Sequence, residues 1–363
     1  MVDLALFEGA EVAGYRIEHR LGAGAFGAVW AAIHQASGQR VAIKVLLRTG
    51  AGTVVDHVAR FRREATNLRR VESEYVAKII DFIVDEEHGM LLIMEYIDGE
   101  LLSDVLQETN LSVPETIELG IHLARGLADL HAVGVIHRDI KPSNIMIRVL
   151  PNGMQRAIIF DLGLSRFNPI VPLEPDDNSS SDVTATASRV AIGTPAYMAP
   201  EQILDARRAT EASDIYAAGV VLYLAVSGRH PFVGDERTIA NNKLMTEAMP
   251  VDLGRLDELG MRFTDVISKA IRRRPEERFT KAGELLLALD DLRMLAASLT
   301  AEGSSISVAP GEFLPPDHSP QLMRARQRAE EEADRRARRA YLVALVAGTM
   351  AVAIVAFTYF LRG

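Results

Sequence analysis

Apolar and polar positions alternate with two different periods along this chain, and the change from one to the other divides it. Residues 15–21 run into a glycine-rich stretch with strand-like 30–34 beyond it, and Val41-Ala42-Ile43-Lys44 alternates as a half-buried strand does. Residues 58–71 take the helical period, with Phe61, Ala65 and Leu68 on one face. Two apolar stretches, 76–84 and 90–96, read as strands joined through the polar run Asp85-Glu86-Glu87-His88-Gly89. Beyond them helical patterns cover 102–107, 114–133, 214–227, 263–272 and 281–295, with one short strand at 157–160.

Other stretches leave these patterns. Residues 164–190 turn polar, carrying Pro169, Pro172 and Pro175 and then Asp176-Asp177-Asn178-Ser179-Ser180-Ser181. Residues 300–320 are rich in Gly, Ser and Pro and read as a linker. Residues 321–340 form a polar helical pattern, with Glu331/Arg335 and Glu332/Arg336 as favourable i, i+4 pairs. Residues 341–361 then run without a charge. As a helix this run is about 30 Å long, the thickness of a bilayer core. The rival is a buried core helix, for which the sequence offers no obvious surface to pack against. The expectation is a transmembrane helix.

Composition narrows the classes. With 363 residues, 48% hydrophobic and 25% charged, the chain has room for a large core and for two domains, or one bilobal domain with an appendage. The net charge of −9 argues against a general nucleic-acid binder. There is no cysteine, which removes disulfides, thiolate metal sites and cysteine nucleophiles. The first residues lack a basic segment followed by an apolar run, so no signal peptide is read there.

The chemistry concentrates in His137-Arg138-Asp139-Ile140-Lys141-Pro142-Ser143-Asn144, between the apolar runs 134–136 and 145–147. One short loop offers a candidate base in Asp139, a cation in Lys141 and a metal-binding side-chain carbonyl in Asn144. That set suits phosphoryl transfer, which needs positioning and charge neutralisation more than covalent chemistry. Upstream, Gly22-Ala23-Gly24-Ala25-Phe26-Gly27-Ala28-Val29 lets a backbone approach phosphates closely. A Rossmann turn would need a helix after the glycines, whereas strand-forming residues follow.

The loop 137–144 resembles the catalytic loop of eukaryotic-type protein kinases, with Ile140 where the common pattern has Leu. The remaining stretches are similar to that family's parts in order, over about residues 15–295, and the whole set resembles the bacterial membrane-anchored serine/threonine kinases. The resemblance implies a bilobal α+β fold, with a small β-rich lobe and a larger helical one. It implies that Asp139 accepts the proton of a Ser or Thr hydroxyl, that Lys141 neutralises the transferring phosphate, and that Asn144 and Asp161 of Asp161-Leu162-Gly163 hold Mg2+, with Mn2+ as a substitute.

It implies further that Lys44 holds the ATP α- and β-phosphates with Glu64 as its partner, and that the Thr194 hydroxyl contacts the base and Lys141. The nucleotide would lie among Leu21, Gly22, Ala23, Gly24, Ala25, Phe26, Gly27, Val29, Ala42, Lys44, Met94 and Met146, with its adenine edge on the backbone from Glu95 to Ile97. Thr184, Thr186 and Ser188 would be autophosphorylated in an activation segment that ends in Ala199-Pro200-Glu201, beside the cation of Arg138. Asp214 would brace the catalytic loop and Arg278 would pair with Glu201.

The expected organisation is an N-terminal extension (1–14), a kinase domain (15–297), a linker (298–320), an Arg-rich juxtamembrane helix (321–340) and a span (341–361). Arginines between 324 and 339 suit anionic lipids better than nucleic acid, and only Arg362 follows the span. The kinase domain is therefore expected on the cytoplasmic side of the inner or plasma membrane. Protein substrates are the expected partners; a homodimer stays open, because the small-residue pairs Ala344/Gly348 and Ala347/Ala351 that would pack two spans together are near chance in so alanine-rich a helix. The rival reading is a pseudokinase scaffold, which ordinarily lacks the lysine, the base or a metal ligand; Lys44, Asp139, Asn144 and Asp161 are all present.

Overall fold

The strand patterns that precede residue 96 come together as a six-stranded antiparallel sheet in the order β1-β2-β3-β4-β6-β5. Its strands are β1 (Glu11–Val12), β2 (Tyr15–Gly24), β3 (Gly27–His34), β4 (Arg40–Leu46), β5 (Ile79–Asp85) and β6 (Gly89–Glu95). The computed structural model describes residues 6–24, 27–46, 68–85, 87–162, 195–254 and 257–301. The expectations placed on Ala25, Phe26, Glu64, Gly163, Thr184, Thr186, Ser188, Thr194 and residues 302–363 lie outside them.

The period of two in β4 sorts its side chains onto two faces. Val41, Ile43 and Val45 pack with Ile17, Ala32, Leu91 and Ile93 in one apolar cluster. Ala42 lies on the other face and packs in the main core with Leu92 and Met94. Lys44 shares that second face by register, and pairs with Val29 of β3 and Leu92 of β6. A one-residue slip would bury the lysine among aliphatic side chains, so the hydrophobic pattern itself aims it.

β5 begins at Ile79, three residues later than the apolar run suggests. The reason is a different partner. The Val76 segment pairs in parallel with Ile159, where Ala77 N–H donates to the Ile159 carbonyl at 2.8 Å and Ile159 N–H to that of Tyr75 at 2.8 Å. Ile159 belongs to a second, three-stranded sheet of β7 (Glu100–Leu101), β8 (Ile145–Val149) and β9 (Gln155–Ile159). Those bonds stitch the sheet-rich lobe to the helical one.

Among the described residues the α-helices are α1 (Leu102–Glu108), α2 (Val113–Ala132), α3 (Pro200–Leu204), α4 (Glu211–Ser227), α5 (Glu236–Met245), α6 (Glu258–Ala270) and α7 (Ala282–Ala301). α2 starts at a reciprocal cap, in which Ser112 N–H donates to the Glu115 carboxylate at 2.7 Å and Glu115 N–H to Ser112 Oγ at 3.4 Å. α4 is buried on nearly every side, as its near-continuous apolar run over residues 215–226 requires. Ile215, Val220, Val221 and Leu222 are essentially inaccessible, each worth about 1.5–3 kcal/mol of transfer free energy. Gly219 allows α6 to approach, since a Cβ there would sit 2.8 Å from the side chains of Ala270 and Ile271. Gly228, at φ 70°, ends the helix and returns its N–H to the Leu224 carbonyl at 2.8 Å.

α6 starts at Glu258, earlier than the apolar pattern from 263, because the Asp257 carboxylate accepts the Gly260 N–H at 2.8 Å and caps it. α5 and the short α3 were not expected from the pattern. Among the described residues no helix is long and apolar enough to cross a membrane.

Candidate active site

The loop 137–144 runs from the end of α2 to β8, and a buried carboxylate holds its shape. Asp214, in the first turn of α4 and 1% exposed, accepts three hydrogen bonds. They come from the backbone N–H of His137 at 2.8 Å, the backbone N–H of Arg138 at 2.7 Å and His131 Nε2 at 2.9 Å. Arg138 adopts φ 70°, a strained conformation for a non-glycine residue. Asp214 on its N–H and Gln202 Nε2 on its carbonyl at 3.1 Å hold it there. The expected bracing role of Asp214 is thus present in the geometry.

His137 is fully buried and its tautomer follows from its partners. The Phe160 carbonyl can only accept, so Nε2 carries the proton and donates to it at 3.1 Å. Nδ1 then accepts the Asp139 N–H at 3.3 Å. This ring ties the loop to the strand end that delivers Asp161, another non-glycine residue at positive φ, 58°.

Within the loop two donors meet one oxygen of Asp139. Lys141 Nζ lies 2.8 Å and Asn144 Nδ2 3.1 Å from Oδ2, and Nδ2 also donates to the Asp139 carbonyl at 2.8 Å. Both Nδ2 partners can only accept, which fixes the Asn144 amide orientation and leaves its Oδ1 for a cation. Oδ1 of Asp139 has no partner among the described residues, so it is the oxygen available to an incoming proton.

Across the cleft Lys44 donates to Asp161 Oδ1, a pair 117 residues apart in sequence. The partner expected for Lys44, Glu64, lies outside the described residues; Asp161 is the partner observed. β2 and β3 form the hairpin expected of the glycine-rich stretch, closing at Gly24 and Gly27, with Gly27 at φ 139°. Gly22 has open space where a Cβ would point, so the approach to the hairpin there is unobstructed.

The nucleotide-side residues fall on both sides of the connection between lobes. Val29, Ala42 and Met94 belong to the main core cluster, while Ile97 packs with Ala77, Ile158 and Met146. Leu21 is exposed at the hairpin's edge. Glu95 commits its N–H to the Lys78 carbonyl at 2.9 Å, so a base contact from this residue would come through its carbonyl. Its carboxylate reaches across to Arg148 of β8 at 2.6 Å.

The sequence pair Glu201 and Arg278 is bidentate, with Nη1 to Oε1 and Nη2 to Oε2 both 2.8 Å. Burial would raise the Glu201 pKa, but the Arg278 hydrogen bonds and charge, with help from Ser213, lower it instead. One buried charge was not foreseen. Lys243 of α5 is wholly inaccessible and donates to the carbonyls of Ala196 at 2.5 Å and Met198 at 2.8 Å. Burial, and secondarily the nearby Arg278 charge, bring its pKa down to about 7. No sequence signal marked it, since a lysine in a polar helix ordinarily faces water.

Among the described residues no three acidic or histidine side chains converge as a metal cage. Asn144 Oδ1 and the Asp161 carboxylate form a sparser oxygen set. That suits Mg2+, which binds through one or two protein groups plus phosphates and water.

Comparison with known proteins agrees with this geometry. The family model described as "Protein kinase domain" matches residues 15–288. Serine/threonine-protein kinase pkn2 of Myxococcus xanthus is 36% identical over 263 residues, 71% of this chain and 29% of that protein. Serine/threonine-protein kinase PknA of Mycobacterium tuberculosis is 34% identical over 241 residues, 65% of this chain and 52% of that protein. The chain thus matches only about half or less of these relatives' own lengths. The crystal structure of the Mycobacterium tuberculosis PknI kinase domain superposes with a TM-score of 0.57 at 23% identity, covering 79% of this chain and 100% of that one, and shares the fold. The chain belongs to the protein kinase domain family and resembles its bacterial serine/threonine members.

Proposed function

We propose that the protein is a serine/threonine protein kinase that moves the γ-phosphate of ATP to Ser and Thr hydroxyls of proteins, its own activation segment included. One observation carries the reading. The Asp139 carboxylate has both of its donors on Oδ2, which leaves Oδ1 without a partner among the described residues, in a chain that also pairs Lys44 with Asp161. Lys141 and Asn144 hold that carboxylate in one orientation, so Oδ1 can take the acceptor hydroxyl's proton as the oxygen attacks.

Lys44 and the β2–β3 hairpin would hold the phosphates, and Asn144 Oδ1 with Asp161 would hold Mg2+ or Mn2+. The bound cation supplies neutralisation of charge on the phosphate oxygens. Ile97, Met94, Ala42, Val29 and Met146 would enclose the base. Arg138 Nε is buried without a hydrogen-bond partner among the described residues, which supports a phosphate on Thr184, Thr186 or Ser188 docking there. Glu64 and Thr194 keep their proposed roles as the second partner of Lys44 and as the hydroxyl beside Asp139. Residues 341–361 would anchor the chain in the inner or plasma membrane with the kinase domain cytoplasmic, supported by the uncharged run and the arginines before it.

The test is Asp139→Asn in the purified full-length protein. It should bind ATP as the wild type does, because the phosphate clamp is intact. Phosphotransfer to a generic acceptor should fall by about 10²–10⁴, the usual worth of a positioned base. Transfer at the wild-type rate would refute the assignment.

A further inference from the structure

A buried amine with no acid to pair with is the least expected charge in this molecule. Among the described residues no carboxylate lies within ion-pair distance of Lys243, yet its side chain is wholly inaccessible. Its stem threads from α5, and its Nζ stands 5.0 Å above the Tyr216 ring of α4. The bonds that satisfy it go to the carbonyls of Ala196 and Met198. An uncompensated buried ammonium is strongly disfavoured unless dipoles replace the water. The backbone turn at 196–198 supplies those dipoles.

The far side of the same turn is fastened to the catalytic loop. Ala199 N–H donates to Gln202 Oε1 at 3.1 Å, and Gln202 Nε2 donates to the Arg138 carbonyl, one residue before Asp139. The turn therefore hangs between two fixed points, α5 on one side and the base's own loop on the other. Tyr197, half-buried between the two carbonyls that Lys243 holds, meets the His230 ring edge-on at 5.1 Å. Through Gln202 the turn is tied to the carbonyl of Arg138, the residue before Asp139, so it borders the ground beside the base.

We propose that Lys243 is a positioning residue for the acceptor peptide: by holding the carbonyls of Ala196 and Met198, its amine sets the backbone surface on which the peptide docks beside Asp139. The inference rests on the kinase reading above and deepens it to the acceptor side of the site. The amine serves in either charge state, since a neutral amine still has two N–H donors for two carbonyls. The role is separate from nucleotide binding, because among the described residues Lys243 contacts Ala196, Met198 and Tyr216 and none of the hairpin, the connection between lobes or the metal-binding pair.

The experiment compares full-length wild type with Lys243→Met, similar in length but without donors, and Lys243→Gln, which retains an amide donor. Myelin basic protein serves as acceptor, with thermal melting to check folding. Lys243→Met should raise the KM for the acceptor by about tenfold or more, equivalent to ~1.4 kcal/mol of lost binding. The KM for ATP and the acceptor-free hydrolysis of ATP should stay within twofold of wild type, and Lys243→Gln should recover part of the acceptor KM. An unchanged acceptor KM, or a parallel loss of ATP affinity and hydrolysis, overturns the proposal. So does failure of both variants to fold, which would make Lys243 a support of the fold alone. Absence of phosphotransfer by the wild type itself would count against the kinase reading instead.

Discussion

Arg278→Met should be among the most damaging single substitutions outside the catalytic groups. Every N–H of the Arg278 guanidinium is used: Nε to the Arg272 carbonyl at 2.6 Å, Nη1 to Glu201 and to the Ala212 carbonyl at 3.0 Å, Nη2 to Glu201 and to the Arg273 carbonyl at 2.8 Å. The plane also stacks over Tyr216 at 4.7 Å. Methionine fills comparable volume but strands the Glu201 carboxylate, whose side chain is only 12% exposed. Breaking one partner out of such a pair costs about 3–5 kcal/mol. A typical domain has about 5–15 kcal/mol in total, so roughly a fifth or more of the stability is at stake.

The assay is urea unfolding of the purified protein followed by far-ultraviolet circular dichroism, at pH 7 and again at pH 4. Burial favours the neutral Glu201, but the Arg278 hydrogen bonds and charge outweigh it and lower its pKa from 4.5. The pair's contribution is therefore full above the ordinary carboxylate range and is lost as pH falls below it, so wild type and variant should converge at low pH. The double variant Arg278→Met/Glu201→Met removes both charges and should lose less than Arg278→Met alone. A loss under about 1 kcal/mol for Arg278→Met at pH 7 would refute the reasoning, since that is the scale of an exposed pair.

Three other outcomes are expected. Lys243 is lowered to about 7 by burial and by Arg278, so between pH 7 and 9 the unfolded chain binds the extra proton and stability should rise with pH. The slope is at most ~1.4 kcal/mol per unit, and a Lys243→Met melt series that keeps the wild-type slope would show that another group titrates. Replacing Thr184, Thr186 and Ser188 together by Ala should remove much of the rate toward an external substrate, and full activity of that variant would retire the phosphate-docking role of Arg138. Deleting residues 341–363 should move the protein from the membrane to the soluble fraction with its activity retained, and a full-length protein that already fractionates as soluble would remove the anchor.

The parts of the fold legible in the sequence are those where chemistry and pattern coincide locally. The catalytic loop packs Asp139, Lys141 and Asn144 into six residues, and their mutual bonds need no distant partner. The β4 alternation that aims Lys44 is equally local. What escaped was set by contacts across the chain. Val76 looks like the start of a strand, yet it pairs with Ile159 and leaves β5 to begin at Ile79. The start of α6 is set by Asp257, a cap that lies before any apolar periodicity. α5 reads as a polar stretch, Glu-Arg-Thr-Ile-Ala-Asn-Asn-Lys-Leu-Met, because its one wholly buried residue is a lysine. Hydrophobic periodicity cannot register a buried charge whose partners are backbone carbonyls.

The charges of this site fall into two groups with different exposure, and the difference follows from their tasks. Asp139 and Asp161 keep 30% and 35% of their side-chain surfaces open. Each is paired with a lysine, Lys141 and Lys44 respectively, yet stays reachable, as the proposed contact with a hydroxyl or a cation requires. Asp214 and Glu201, at 1% and 12%, are closed, with every bond directed at protein. In low dielectric those bonds are stronger and the geometry stiffer, so the strain at Arg138 is borne by a carboxylate that never takes part in transfer. Lys243 extends the same division to a cation. Because the holding charges sit one step behind the reacting ones, a substitution at Asp214, Glu201 or Lys243 acts through displacement of backbone, and its effect should appear in substrate affinity and stability before it appears in the proton transfer itself.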